Sequence, residues 1–448
     1  MSDGFRTRSL HAGYDPDART GAAAPPIYQT TSYEFPDADS AAELYALEAE
    51  GHVYSRLSNP TTEVLETRLA ALEGGTDAVA TGSGMAALDA VTTVLARAGD
   101  NVVASEDMYG GTAAYFAETL PRRGVDVRTV DTLDVAAYRD AIDDHTAYVH
   151  VETLANPALT TPDLEAVAEA AHDNAVPLVV DNTFATPALC RPVEHGADVV
   201  WESTTKWIHG SGTTVGGVVV DGGTFPWDHP DATYDEFDGE NPAFGVDFVE
   251  RFGDRAFAAA VRHRGVRPTG GQQSPFDAWQ TLQGLRTLDL RMSRHCDNAR
   301  RVARHLREHP DVAWVTYPGF EDHPTHDRAH RYLDDFAGMV AFGLDGGYEA
   351  GKRCCEAVEL ATFLANIGDA RTLVIHPAST THAQLSAAEQ REAGVTPDLL
   401  RLSVGIEDPD DIVADLDQAI AAATDDERDD DVDGAADRHT DAAGGGTV

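Results

Sequence analysis

The sequence predicts an α/β fold: a mostly parallel, seven-stranded sheet covered by helices on both faces, followed by a smaller C-terminal α/β domain. Seven short apolar runs carry the first part of that expectation: DAVAT at 77, NVVAS at 101, VDVRTV at 125, TAYVHVE at 146, PLVVD at 177, DVVW at 198 and GGVVV at 216. Between them lie segments of helical periodicity such as MAALDAVTTVLARAG and TPDLEAVAEAAHDNA, and this alternation is the mark of a parallel sheet with helical crossovers. The length, 448 residues with 42% hydrophobic residues, is enough for more than one core. In such a sheet the functional groups are expected at the carboxyl ends of the strands.

Taken in order, residues 1–61 show no clean period but are rich in Pro, Tyr, Ser and Thr, as in AAPPIYQTTSYEF. They read as an extended arm with short helices. From Thr62, EVLETRLAALEGG predicts an amphipathic helix closed by glycines and opens a first α/β domain over 62–270. The stretch 222–255, rich in Pro, Gly, Asp and aromatics, reads as a long ordered loop or insertion. The pattern from SPFDAWQTL to HLREHP predicts one long helix opening the second domain, 271–423. The acidic, glycine-rich tail 424–448 has no apolar face and is expected to be disordered.

Composition excludes some classes of function. With 76 acidic and 33 basic residues the formal net charge is −43 and the pI about 4.5, so neither nucleic acid nor an anionic membrane is an expected partner. Such acidity suits solubility in concentrated salt, where a short Debye length mutes self-repulsion. No stretch approaches ~18 continuous apolar residues, and MSDGFRTRSLHAG lacks the apolar region of a signal peptide. A soluble cytoplasmic protein is expected. The four cysteines, Cys190, Cys296, Cys354 and Cys355, have no metal-ligand spacing and read as small core residues.

Three stretches could carry chemistry. ATGSGMAALDAV, from Ala80, places a glycine turn between a strand and a helix, where backbone amides bind phosphate. Its Gly82, Gly84 and Ala87 also fit the loose dinucleotide fingerprint, so a nicotinamide enzyme stays open, as does a plain tight turn. In PLVVDNTFATP, Asp181 ends an apolar strand, where a buried carboxylate needs a cationic or hydrogen-bonding partner; the alternative is a cap for the following turn. STTKWIHGSGTT holds Lys206, one of only two lysines against 31 arginines. A lysine is usually a solvated surface group, but a chain that builds its surface cations from arginine weakens that default. A lysine amine can also form a Schiff base with an aldehyde. One lysine, one strand-end aspartate and a phosphate cradle together are what pyridoxal phosphate requires.

These residues and the motifs around them resemble the Cys/Met metabolism (cystathionine γ-synthase-like) group of pyridoxal-phosphate enzymes, from about Thr7 to Asp411. The resemblance implies the pyridoxal-phosphate-dependent transferase fold, aspartate aminotransferase-like or fold type I. It further implies that Tyr54 and Arg56, in VYSRLSNPTTEVLETRLAALEGG, reach the cofactor phosphate of a neighbouring subunit, so that sites are shared across a dimer and dimers pair into a tetramer. Gly84 and Met85 then offer backbone amides to the phosphate. Tyr109 in DMYGGT stacks on the pyridine ring, and VETLANP supplies Glu152 and Asn156, the latter near the ring hydroxyl. Asp181 faces the pyridine nitrogen with Thr183 beside it; Lys206 is the Schiff-base lysine; Ser203 and Thr205 are phosphate hydroxyls. Asn366 and Arg401, in LANIGDARTLVIHPASTTHAQLS and RLSVGIEDPDDI, bind the substrate carboxylate, with Tyr54 close by.

Within the group the sequence is most similar to the sulfhydrylase branch, which implies replacement of the acetyl group of O-acetylhomoserine by sulfide or a small thiol. Tyr109-Gly110-Gly111-Thr112 argues against the methionine γ-lyases, where YGCT is the resembling stretch, and Asn366-Ile367-Gly368-Asp369 differs from the SLGG of cystathionine synthases and lyases. A γ-synthase or γ-lyase acting on cystathionine, cysteine or methionine remains the alternative inside the family. A nicotinamide oxidoreductase and a cofactor-free binding protein remain alternatives outside it. Two departures stand out: the turn His209-Gly210-Ser211-Gly212, where relatives have a GHG-like turn, and the acidity of 222–255.

Overall fold

The computed structural model describes residues 4–436 apart from 17 and 233, with the backbone alone at 392 and 425–436. They form two compact units, one of residues 4–293 with 318–337 and one of 294–317 with 338–436. Composition had placed the division at 270/271. The boundary instead falls inside a helix, Leu288–Glu308, and a helix continuous across it leaves no compositional break to read.

In the first unit the seven apolar runs form one seven-stranded sheet: β1 Asp77–Thr81, β2 Asn101–Ser105, β3 Asp126–Val130, β4 Thr146–Glu152, β5 Leu178–Asp181, β6 Val199–Glu202 and β7 Gly217–Asp221. Their order is β1-β7-β6-β5-β4-β2-β3. β7 is antiparallel to both its neighbours, whereas the pairs β6/β5, β5/β4, β4/β2 and β2/β3 are parallel. β2 and β4 to β7 are buried throughout, the near-continuous apolar type expected of strands covered on both faces. β3, at the edge, keeps polar, half-exposed residues. The register Glu152↔Asp181 and Asp181↔Trp201 brings the carboxyl ends of β4, β5 and β6 level with one another.

Two helices complete that edge. One, Pro60–Glu73, starts where the Asn59 side chain accepts from the Thr61 amide and Pro60 fixes the first turn. The other, Gly84–Leu95, follows β1 directly, and its cap is the Ser83 side chain accepting from the Ala86 amide. The segment 222–255 is ordered by its aromatics: Phe225, Trp227, Tyr234 and Phe237 are buried with Phe257, and Trp227 stacks on Phe257 with centroids 4.8 Å apart.

The long helix expected after Ser274 is two helices, Pro275–Leu285 and Leu288–Glu308. At the break Arg291 donates to the part-buried Gly284 carbonyl at 2.8 Å and to the Trp207 carbonyl at 2.6 Å. The guanidinium joins the Thr287 amide on the Gly284 carbonyl and ties the junction to the chain just after Lys206.

The second unit holds a five-stranded sheet in the order 312–316, 339–344, 399–403, 373–375, 362–363. It is antiparallel except for the last pair. Its closing helix, Pro409–Ala436, extends past Thr424, from which disorder was expected. Alanine and acidic residues propagate a helix at little cost once an anchored segment has nucleated it. The rest of the expected tail, 437–448, lies outside the described residues. All four cysteines are buried. Among the described residues no helix is long and apolar enough to cross a membrane.

The approach of β7 to the start of the helix Gly84–Leu95 requires a bare backbone. A Cβ at Gly217 would stand 2.3 Å from the Ser83 carbonyl oxygen and 2.7 Å from the Gly84 nitrogen. Gly217→Ala is therefore expected to cost about 1–3 kcal/mol, the range for overpacking, measured as a lowered urea midpoint; an unchanged midpoint would show that the junction yields freely.

Candidate active site

The carboxyl edge of the first sheet collects most of the candidate residues. Asp181 ends β5 and is buried. Its Oδ1 accepts from the Thr183 amide at 2.9 Å, and burial pushes its carboxyl up to about 6. Next to it Glu152 ends β4, fully buried, and accepts from the amides of Tyr109 at 2.5 Å and Asn156 at 3.2 Å. Burial first, then the Asp181 charge, raises Glu152 well above the usual carboxylate range. The order of causes fits a low-dielectric site in which two neighbouring carboxylates are reluctant to ionise together.

Those two bonds also place Tyr109 and Asn156. Tyr109 stands at the start of the short helix Gly110–Ala114 with its ring half exposed. The ring lies against Gly111, where a Cβ would fall 2.4 Å from Cε1. Asn156 is buried. Thr183 turns its hydroxyl toward β6, accepting from the Ser203 amide at 2.8 Å, so the residues after β5 and β6 are joined side to side.

After β6 the chain turns through Ser203 to Lys206, with the Lys206 amide donating to the Ser203 carbonyl at 3.2 Å. Lys206 is half-buried. The Thr205 hydroxyl donates to the Gly216 carbonyl at 3.1 Å and accepts from the Gly216 amide at 3.0 Å. Gly84 packs directly on this turn, since a Cβ there would be 2.8 Å from the Ser203 Cβ. The first-turn amides of Gly84 and Met85 have no partner within their helix, and they sit with the Ser203 turn at the positive end of the helix dipole. The unusual His209 to Gly212 turn is closed internally: His209 Nε2 meets Ser211 Oγ at 2.6 Å and Thr213 Oγ1 at 2.8 Å.

Four further candidates come from other elements. Tyr54 is exposed, and the Arg56 guanidinium lies 5.4 Å from its ring centroid while donating to the Arg267 carbonyl. Asn366 and Arg401 belong to the second unit. Arg401 is on its central strand, paired with Ala341 and Ile375, and Asn366 is half-buried just before Gly368, whose amide donates to Ser403 Oγ at 2.9 Å.

Pyridoxal phosphate fits what is present at the edge. A backbone cradle that a Cβ at Gly84 would fill suits a phosphate. A buried strand-end carboxyl raised by burial suits a cationic pyridine nitrogen, and a lysine stands on the adjoining turn. Sequence reasoning missed three buried groups beneath this edge: Glu73, Glu202 and Asn182. For Glu202 the signal was available, because VVWE ends an apolar strand on a carboxylate just as LVVD does at Asp181.

Comparison with known proteins is consistent across the chain. It is 48% identical to the homocysteine synthase of Schizosaccharomyces pombe over 94% of this chain and 99% of that protein. It is also 48% identical to O-acetyl-L-homoserine sulfhydrylase 1 of Thermus thermophilus, over 93% and 100% of the two chains. A crystal structure described as an O-acetylhomoserine (thiol)-lyase from Campylobacter jejuni, which contains N′-pyridoxyl-lysine-5′-monophosphate, superposes with a TM-score of 0.89 at 37% identity, covering 93% of this chain and all of that one. Residues 6–421 match the family described as Cys/Met metabolism PLP-dependent enzyme, and the chain belongs to that family.

Proposed function

We propose that the chain is an O-acetylhomoserine sulfhydrylase: it replaces the acetate of O-acetyl-L-homoserine by sulfide, or by a small thiol, giving L-homocysteine, or methionine when the thiol is methanethiol. The observation that carries this is the junction of the Gly84 helix start with the Ser203–Lys206 turn, beside a buried Asp181. Relatives named for this reaction match over nearly the whole chain.

When bound, pyridoxal phosphate supplies the electron sink that makes protons on the substrate carbon chain labile. The amides of Gly84 and Met85 and the hydroxyls of Ser203 and Thr205 would hold its phosphate. Asp181, kept in place by the Thr183 amide, would balance a positive charge on its ring nitrogen, and Tyr109 and Asn156 would help to hold the ring. Lys206 would tether the cofactor, and its amine would move protons at the substrate Cα and Cβ as a positioned general base and acid. Acetate departs from Cγ, and sulfide forms the new C–S bond there.

Arg401 and Asn366 hold the substrate carboxylate, a bidentate task suited to a guanidinium. Tyr54 and Arg56 complete the phosphate and substrate site of a neighbouring subunit in a dimer, and dimers pair into tetramers. Support comes from where these two residues stand: Tyr54 is exposed, and the half-buried Arg56 lies over its ring and donates to the Arg267 carbonyl. We place the enzyme in the cytoplasm, a reading favoured by Cys190, Cys354 and Cys355, buried thiols outside any disulfide.

Two experiments test this. Purified enzyme offered O-acetyl- and O-succinyl-homoserine with sulfide, methanethiol or cysteine is expected to release homocysteine fastest from the acetyl ester and sulfide. Cystathionine as main product, or rapid formation of 2-oxobutyrate, would replace the sulfhydrylase reading by a γ-synthase or γ-lyase. Lys206→Ala is expected to lose the visible absorbance of the tethered cofactor and to lower turnover by at least about a thousandfold, within the range for removing a general acid–base group. Retention of both would reassign the lysine.

A further inference from the structure

Beneath the cofactor edge, on the opposite side of the strand ends, lies a pair of carboxyl groups that the mechanism does not use. Glu73 is the last residue of the helix Pro60–Glu73 and Glu202 the last residue of β6. Both are 0% exposed, and their side chains are within hydrogen-bonding reach of each other. Among the described residues, neither oxygen of Glu202 takes a hydrogen bond from a fixed donor, nor does Oε2 of Glu73. Oε1 of Glu73 accepts from Asn182 Nδ2 at 2.8 Å.

Asn182 is itself held on three further sides. Its Nδ2 also donates to the Cys190 carbonyl at 2.9 Å, its Oδ1 accepts from Thr153 Oγ1 at 2.8 Å, and its amide donates to the Trp201 carbonyl at 3.1 Å. Asn182 follows Asp181, and Glu202 precedes Ser203. Two ionised carboxylates in contact and out of water would repel strongly and lack the donors to offset their desolvation. A single proton removes the conflict: one carboxyl donates through it to the other, a short, charge-assisted bond.

We propose that Glu73 and Glu202 share one proton and act as positioning residues, a buried clamp that holds the ends of β5 and β6, and with them Asp181 and Ser203, in register for the cofactor. The clamp rests on the cofactor reading of Asp181 and Ser203 given above. Burial pushes Glu73 up to about 8 and Glu202 well above the carboxylate range. For groups raised in this way the stabilising bond is complete at low pH and is lost as pH rises through the folded value. The other titratable groups facing the pair are Asp181 on β5, which acts on Glu202, and Arg191 and Glu194, which act on Glu73. Cys190 faces Glu73 in turn, and Glu152 is linked through Asp181. All of them are present in every variant below, so comparison between variants isolates the pair.

Holoenzyme of the wild type, Glu202→Gln and Glu202→Leu tests the proposal. A glutamine amide can donate permanently to Glu73, so E202Q should bind pyridoxal phosphate within about threefold of wild type at neutral pH. E202L strands Glu73 and should bind at least about tenfold more weakly, the scale of one unsatisfied buried group. Above the pH at which the pair loses its proton, wild type should lose cofactor affinity while E202Q stays flat. The infrared difference spectrum, wild type minus E202Q at neutral pH, should contain a protonated carboxylic-acid band. That band reports the proton wherever the cofactor binds, so a failure of the site assignment would leave it in place. Loss of a carboxylate band only, superimposable pH curves for wild type and E202Q, or wild-type affinity in E202L would each overturn the clamp.

Discussion

Three adjacent parallel strands, β4, β5 and β6, each end on a buried carboxyl group, Glu152, Asp181 and Glu202, and the arrangement of the site follows from how each one is accommodated. A buried carboxylate is tolerated when hydrogen bonds, a cation or a proton replaces the water it has lost. Glu152 is met by two backbone amides, and in accepting them it fixes where Tyr109 and Asn156 stand. Glu202 is met by Glu73, the helix-end partner on the far side of the sheet. Asp181, between them, is met by the Thr183 amide. Under the proposed function, the positive charge that completes its surroundings is the cofactor's, and the electrostatics of the edge would then couple cofactor binding to strand register, since moving any one of the three ends changes the neighbours of the other two.

Close backbone approach is the second requirement of the same edge. β7 runs against its neighbours, and its first residue, Gly217, meets the Ser83–Gly84 peptide without a side chain between them. That contact lets the start of one helix and the turn after β6 share one small space, where amides and hydroxyls can converge on a phosphate. From the other side Arg291 binds the carbonyls of Trp207, Ile208 and Gly284, so the turn that carries Lys206 is held from outside as well as from within. The lysine thus emerges from a segment with little freedom to drift, which suits the role proposed for it, reaching both the cofactor and the substrate carbon chain.

Much of this was legible in sequence because buried parallel strands announce themselves as short apolar runs; all seven runs are strands, with ends within a residue or two of those read. Asp181 and Lys206 were legible for a related reason, each being an unusual residue type for its local setting. The break between Leu285 and Leu288 was not, because the periodicity runs through it and the interruption comes from Arg291 reaching across to Gly284. The unit boundary inside the following helix was hidden for the same reason. Glu73 was hidden differently: LAALEGG reads as an exposed helix end, and only the fold places its last carboxylate under two strands. Nothing local to Asn182 marks its side chain as the link between helix and sheet.

In the proposed function the carboxylate of Asp181 holds a positive charge on the bound cofactor. Nitrogen NMR of holoenzyme carrying pyridoxal phosphate isotopically labelled at the ring nitrogen tests it most directly. Wild type is predicted to show a protonated ring nitrogen through the neutral pH range, and Asp181→Asn to show an unprotonated one with the cofactor still bound. An unprotonated nitrogen in wild type, or a signal that Asp181→Asn leaves unchanged, would contradict the account.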